Sequence, residues 1–186
     1  MKLRSLICKE VFEMAKKIPF VSKAEVAALA QQYPTPFYLY DEAGIRRTAR
    51  LVNQACAWNK GFKEYFAVKA TPNPSILKIL HEEGCGADCS SYTELLMADA
   101  VGFREDEIMF SSNNTPAEDF QLARRLNVTI NLDDITHIEF LEQVADIPTT
   151  MSCRYNPGGH FAIANAIMDH PGDAKYGMTR PQMTEA

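Results

Sequence analysis

The chain has 186 residues, of which 46% are hydrophobic and 23% are charged, and its formal net charge is −5. This is the composition of an ordinary globular protein. The acidic balance lacks the basic clusters of a nucleic-acid-binding protein, and no window reaches the ~18 consecutive apolar residues of a membrane span. We therefore expect neither nucleic acid nor a membrane as a partner.

The N-terminal part predicts helices followed by an extended segment. Helical patterns cover residues 9–18 and 23–32. Aromatic residues and neighbouring prolines then favour extended backbone, with a strand over Phe37–Tyr40. Asp41 is a candidate N-cap for the next helix, which carries an apolar stripe.

From residue 65 onward, short apolar segments alternate with helical patterns. The predicted strands cover residues 65–70, 85–91, 108–113, 128–133 and 149–157. The predicted helices between them cover residues 74–83, 92–101, 116–126 and 135–144. Such alternation is typical of βαβ units and a parallel sheet. We expect an N-terminal helical segment over residues 1–33 and one α/β domain over residues 34–186.

Two features favour a (β/α)8 barrel over an open doubly wound sheet. No G-x-G-x-x-G turn follows the first strand, which removes the main sign of a dinucleotide fold. Polar residues instead follow the predicted strands, at the edge where barrel enzymes carry their active sites. Five predicted strands are only part of the eight in a barrel, so we expect the chain to be a fragment whose fifth strand has an unpaired edge.

The five cysteines do not form a metal-binding pattern. Cys85 and Cys89 are spaced as C-x3-C inside a predicted strand, and no second pair follows at zinc-site spacing. We expect structural, reduced thiols, no bound metal and a cytoplasmic location.

Lys69 is the single cation at the end of the apolar segment Tyr65–Val68. Such a lysine can simply extend into solvent. Alternatively, a half-apolar pocket can lower its pKa and free the amine to attack a carbonyl, as in a Schiff base with pyridoxal phosphate. The polar residues after the neighbouring strands favour the second interpretation.

Several motifs in the chain resemble those of fold-type III pyridoxal-phosphate decarboxylases, with diaminopimelate decarboxylases as the nearest group. They are "YFAVKATPNPSIL", "GADCSSYTEL", "TPFYLYDEAGI" and "RYNPGG" followed by "AKYG". Alanine racemases share the barrel but continue differently after their lysine. One departure is Thr71, where the family usually has Asn.

The resemblance implies an amino-acid decarboxylase that uses pyridoxal 5′-phosphate through a Schiff base on Lys69. It implies that Asp88 and Arg154 help to bind the cofactor, and that Glu94 supports them. Asn113, Asn114 and Lys175 become candidates for contact with the substrate or for support of the site. His160 and His170 lie in the predicted loop before Lys175 and receive no role.

The implied reaction converts meso-diaminopimelate to lysine and CO2, with the active site at a homodimer interface. Carboxynorspermidine, arginine and ornithine remain alternative substrates. A different possibility is a non-catalytic pyridoxal-phosphate homeostasis protein on the same fold. The motifs around Lys69 and Arg154 argue against that alternative.

Overall fold

The computed structural model describes residues 18–158 and 176–186. The chain divides into two compact units, residues 1–42 and 43–186. In the first unit, helix α1 (Lys23–Gln32) begins at a capping box, in which Ser22 and Glu25 each accept a hydrogen bond from the other's backbone N–H. Phe37–Tyr40 was predicted to form a strand but has no regular secondary structure. A strand needs a neighbouring backbone to pair with, and this segment is not part of the sheet formed by the described residues.

The second unit alternates strands and helices. Its strands are β1 (Tyr65–Ala67), β2 (Gly86–Cys89), β3 (Ile108–Ser111), β4 (Thr129–Leu132) and β5 (Ser152–Cys153). Its helices are α2 (Glu42–Ala55), α3 (Pro74–Glu82), α4 (Tyr92–Val101), α5 (Ala117–Arg125), α6 (Thr136–Ala145) and α7 (Arg180–Glu185), of which α2 starts at the last residue of the first unit. Short 3-10 turns cover Val68–Ala70 and Glu105–Glu107.

The five strands form one parallel sheet in the order β1-β2-β3-β4-β5. Helices separate successive strands along the chain, as expected for the first five units of a (β/α)8 barrel. Within the described part of the chain, β1 and β5 each pair with one strand only, so the sheet is open at both edges. The expected unpaired edge is therefore found at β5 itself, but directly beyond it Tyr155 forms an isolated parallel bridge with Met178, so the edge is partly covered.

The two faces of the sheet differ in chemistry. One face is buried beneath the helices and carries apolar side chains from the three central strands, namely Ala87, Cys89, Ile108, Phe110, Ile130 and Leu132. The alternate positions carry Asp88, Met109, Ser111, Thr129 and Asn131, and these are only half-buried. Since side chains alternate between faces along a strand, the second face corresponds to the interior of the barrel.

Helix α2 packs on α3 through a second apolar cluster formed by Ala49, Ile76, Leu80 and Cys85. Helix α3 begins at Pro74, and the Asn73 side chain accepts a hydrogen bond from the Ser75 N–H at 2.9 Å. Both features are typical helix-start signals. None of the helices in the described ranges is long and apolar enough to cross a membrane.

Candidate functional site

Lys69 lies at the carboxyl end of β1, but in a 3-10 turn and not in the strand itself. The strand is shorter than predicted because the backbone turns at Val68, whose side chain is fully buried. The Lys69 side chain is exposed, so the predicted half-apolar pocket is not formed by the described residues. The physical reason is that β1 is an edge strand, and over residues 18–158 and 176–186 no further strand covers its open side.

Asp88 is the residue that connects Lys69 with the other charged groups of the site. It lies in β2 on the half-buried face, paired in register with Ala67 of β1. Burial raises the pKa of its carboxyl above the usual value. The positive charge of Lys69 opposes this increase, the negative charge of Glu94 adds to it, and Arg154 opposes it more weakly than Lys69 does. Lys69, Glu94 and Arg154 are thus all near enough to Asp88 for their charges to act on its carboxyl.

Glu94 is held in place by the start of helix α4. Its carboxylate accepts a hydrogen bond from the Ser90 N–H at 2.8 Å, and its own N–H donates to the Ser91 hydroxyl at 3.4 Å. These contacts satisfy backbone groups at a helix N-terminus, where a carboxylate is also favoured by the helix dipole. The position of Glu94 beside Asp88 thus follows from a local capping arrangement.

Arg154 follows β5 and is contacted on three sides. Its Nη1 lies 2.6 Å from Asp133 Oδ1, and its Nη2 donates to the Ser111 hydroxyl at 3.2 Å. The guanidinium carbon lies 5.9 Å from the centre of the Tyr176 ring. Asp133 is only 2% exposed, whereas the Arg154 side chain is 41% exposed. The arginine is therefore anchored at its buried side and open at the other.

A hydrogen-bonded row of side chains runs across three strands beneath Arg154. Ser152 donates to Asn131 Oδ1 at 2.8 Å, and Asn131 Nδ2 donates to the Ser111 hydroxyl at 3.0 Å. The three residues are partners in register on β3, β4 and β5. Because they are half-buried and cross-linked, they give this part of the barrel interior a polar layer.

Asp133 and Ser111 were among the polar residues expected near the carboxyl ends of the strands, but the sequence assigned neither of them a role. The signal that could have linked them to Arg154 is the two-residue period of a strand. Ser152 and Arg154 share a face, as do Asn131 and Asp133 on the neighbouring strand. Applying that period places Asp133 beside Arg154.

Of the described candidates for contact with the substrate or for support of the site, only Asn113 makes a contact with the residues around Arg154. Asn113 Nδ2 donates to Asp133 Oδ2 at 2.7 Å, so Asn113 joins the site through Asp133. Asn114 is exposed and makes no hydrogen bond into this network within the part of the chain described. Lys175 lies outside the described residues, as do His160 and His170.

The groups at this edge suit a small organic anion with a carbonyl. The exposed amine of Lys69 can react with the carbonyl, the guanidinium of Arg154 can face an electron-rich or anionic group, and the Asp88 carboxylate can orient the amine. Over residues 18–158 and 176–186, no three His, Cys, Asp or Glu side chains are grouped so that they could hold a metal ion.

Comparison with known sequences gives a consistent family. Residues 43–186 match the family model described as pyridoxal-dependent decarboxylase, pyridoxal binding domain. Protein TabA of Pseudomonas amygdali pv. tabaci is 40% identical over 85% of this chain and 36% of its own length. A diaminopimelate decarboxylase of Methanothermobacter thermautotrophicus is 33% identical over 74% of this chain and 32% of its own length.

Solved structures give the same result for the fold. A diaminopimelate decarboxylase of Helicobacter pylori complexed with L-lysine superposes with a TM-score of 0.74 at 29% identity, covering 86% of this chain and 41% of that one. A lysine decarboxylase of Selenomonas ruminantium gives a TM-score of 0.69 at 21% identity, covering 81% and 39%. The chain spans about a third of the length of the curated relatives named above.

Proposed function

Because the chain belongs to the pyridoxal-dependent decarboxylases, of which it carries the pyridoxal-binding domain, we propose that it forms part of an amino-acid decarboxylase with Lys69 as the cofactor lysine. The observation that carries the proposal is the grouping of Lys69, Asp88, Glu94 and Arg154 at one edge of the parallel sheet. The family match favours this function over a non-catalytic homeostasis protein.

Lys69 supplies the amine that attaches the cofactor. Its position in a turn after β1 leaves the Nζ atom accessible, and the neighbouring Asp88 carboxylate favours one orientation of the ammonium group. Among the described residues, Lys63 differs in this respect, since its Nζ pairs with Asp106 at 3.4 Å, away from the carboxyl ends of the strands. The environment of Lys69, and not lysine chemistry alone, is what suits it to this role.

Arg154 and Asp88 complete the cofactor site from two sides. The anchored guanidinium of Arg154 suits contact with the cofactor ring, because its charge is fixed in position before any ligand arrives. Asp88 lies near the amine and Glu94 lies near Asp88, and the raised pKa of Asp88 lets it hold a proton closer to neutral pH than an exposed aspartate can. When bound, pyridoxal phosphate supplies the electron-withdrawing ring that accepts the electron pair left by the departing CO2.

We propose meso-diaminopimelate as the substrate and lysine as the product. This rests on the relatives that are named diaminopimelate decarboxylases and on the related structure complexed with L-lysine. The similarity to TabA, which carries a different name, keeps carboxynorspermidine, arginine and ornithine as alternatives for the assay. A homodimer and a cytoplasmic location are further parts of the proposal.

The test is a Lys69→Ala substitution in the complete protein. We expect loss of the visible absorbance of bound cofactor and a decrease in CO2 release from meso-diaminopimelate of at least about 10³-fold, since no other group replaces a covalent amine. Lys63→Ala is the matched control and should retain both signals. Normal turnover by Lys69→Ala would refute the assignment. Cofactor bound at Lys69 with no CO2 release from any of the four substrates would favour the homeostasis alternative.

A further inference from the structure

The contacts of Arg154 single out two residues for which the family resemblance implied no role. Asp133 Oδ1 lies 2.6 Å from Arg154 Nη1, and the Ser111 hydroxyl accepts from Nη2 at 3.2 Å. We propose that Asp133 and Ser111 are positioning residues, which fix the Arg154 guanidinium in the orientation that faces the cofactor. The inference rests on the proposed function.

Asp133 has the features of a dedicated anchor. Its side chain is 2% exposed, and a buried carboxylate is costly unless charged or polar partners surround it. One oxygen faces Arg154, and the other accepts from Asn113 Nδ2 at 2.7 Å. Among the described residues Oδ1 accepts no hydrogen bond, so the charge of Arg154 is what compensates for its burial. Rotation of Asp133 away from the arginine would lose that ion pair and the Asn113 hydrogen bond at once.

Ser111 fixes the second nitrogen of the guanidinium. Its hydroxyl oxygen accepts from both Arg154 and Asn131, and Asn131 is in turn held by Ser152. Two contacts at different nitrogens define the plane of a guanidinium group, which a single contact cannot do. With Tyr176 near the guanidinium carbon, the long side chain keeps little of its rotational freedom. A ligand therefore meets an arginine that is already oriented.

A double-mutant cycle in the complete protein tests this positioning role through cofactor affinity. We measure the dissociation constant of pyridoxal 5′-phosphate by titration for Asp133→Asn, Arg154→Ala and the double variant. Asp133→Asn should weaken binding about tenfold, and it should weaken binding less than twofold when Arg154 is already absent. Asp134→Asn is the matched control, because that neighbouring carboxylate instead caps α6 through the Thr136 N–H and hydroxyl. It should leave the dissociation constant unchanged.

Ser111→Ala keeps the proposal testable if Asp133→Asn does not fold. This variant removes one hydroxyl, and the expected loss of affinity is about threefold, again only when Arg154 is present. Equal losses with and without Arg154 would overturn the proposal, because they would show a general structural effect. No loss in either variant would also overturn it. If Arg154→Ala and Lys69→Ala both bind the cofactor normally, the proposed function fails as well, and the two failures are thereby distinguished.

Discussion

At the scale of single residues, the site is organised around charges that need neighbours to hold them. Asp88 and Arg154 were predicted from the sequence because motif positions identify residue types. The supports of Arg154, namely Asp133 and Ser111, are harder to assign from the sequence, because the contacts join residues 21 and 43 positions apart. The exposure of Lys69 could not be foreseen either, since it depends on which strand edges are covered.

Gly177 is a further residue on which the orientation of Arg154 depends. Its φ is +83°, and a Cβ added there would lie 3.0 Å from Arg154 Cγ and 3.1 Å from the Arg154 carbonyl oxygen. Gly177→Ala should therefore cost about 1–2 kcal/mol from the backbone conformation alone. It should also displace Arg154 and weaken the binding of pyridoxal phosphate.

Gly102→Ala is the matched control for that prediction. Gly102 also has a positive φ, +117°, but its nearest neighbour would be 3.8 Å from the added Cβ, which is an ordinary contact. Thermal unfolding of both variants measures the cost of the backbone conformation, and cofactor titration measures the effect of a displaced Arg154. Equal cofactor affinity in the two variants would contradict the idea that Gly177 makes room for Arg154.

At the scale of elements, the helices followed the sequence more closely than the strands did. The predicted ranges of α1 and α4 agree with the structure residue for residue, since periodicity and caps are local signals. The strand predicted over residues 149–157 is reduced to Ser152–Cys153. Backbone pairing extends further, through a hydrogen bond from the Arg154 N–H to the Leu132 carbonyl at 2.9 Å and an isolated parallel bridge between Tyr155 and Met178. Strand ends depend on partners distant in sequence, and local patterns do not specify them.

The contact between α2 and α3 includes an ion-pair cluster centred on Glu83. Arg50 donates to Glu83 at 2.6 and 2.7 Å, and Arg46 donates to it at 3.0 Å. Hydrogen bonds from Arg50 and then from Arg46 lower the pKa of the Glu83 carboxyl from 4.5 to about 2. A lowered pKa means that the unfolded chain binds a proton at higher pH than the folded one does. The stabilisation is therefore complete above about pH 4.5 and is lost as the pH falls toward about 2.

Glu83→Gln tests this linkage. The difference in free energy of unfolding between wild type and Glu83→Gln should shrink as the pH is lowered from about 4.5 to about 2, because protonation makes the two side chains alike. Glu82→Gln is the control, since Glu82 also pairs with Arg46 but is 45% exposed, and exposed pairs contribute little. Urea unfolding at several pH values measures the free energy of unfolding of wild type and of both variants. A difference for Glu83→Gln that does not change over this range would contradict the prediction.

At the scale of the whole molecule, the parallel sheet explains why polar residues far apart in sequence lie close together. Each strand contributes its polar residues at the same edge, while the apolar residues of the other face pack beneath the helices. The half-buried face of the sheet, which extends from β1 to β5, carries the charged side chains and the hydrogen-bonded row of Ser111, Asn131 and Ser152. The order and residue pattern of the strands predict this division between a polar and an apolar face. The chemistry that we propose for the polar face rests on the family match as well.

The central claim is that Lys69 carries the cofactor, and chemical trapping tests it most directly. The complete protein is incubated with pyridoxal 5′-phosphate, reduced with borohydride, digested and examined by peptide mass spectrometry. We predict one stoichiometric phosphopyridoxyl label, on Lys69 in the segment "YFAVKATPNP", with Lys63 and Lys78 of the neighbouring segments unlabelled. A stoichiometric label on another lysine, or no label on Lys69 at saturating cofactor, would contradict the account.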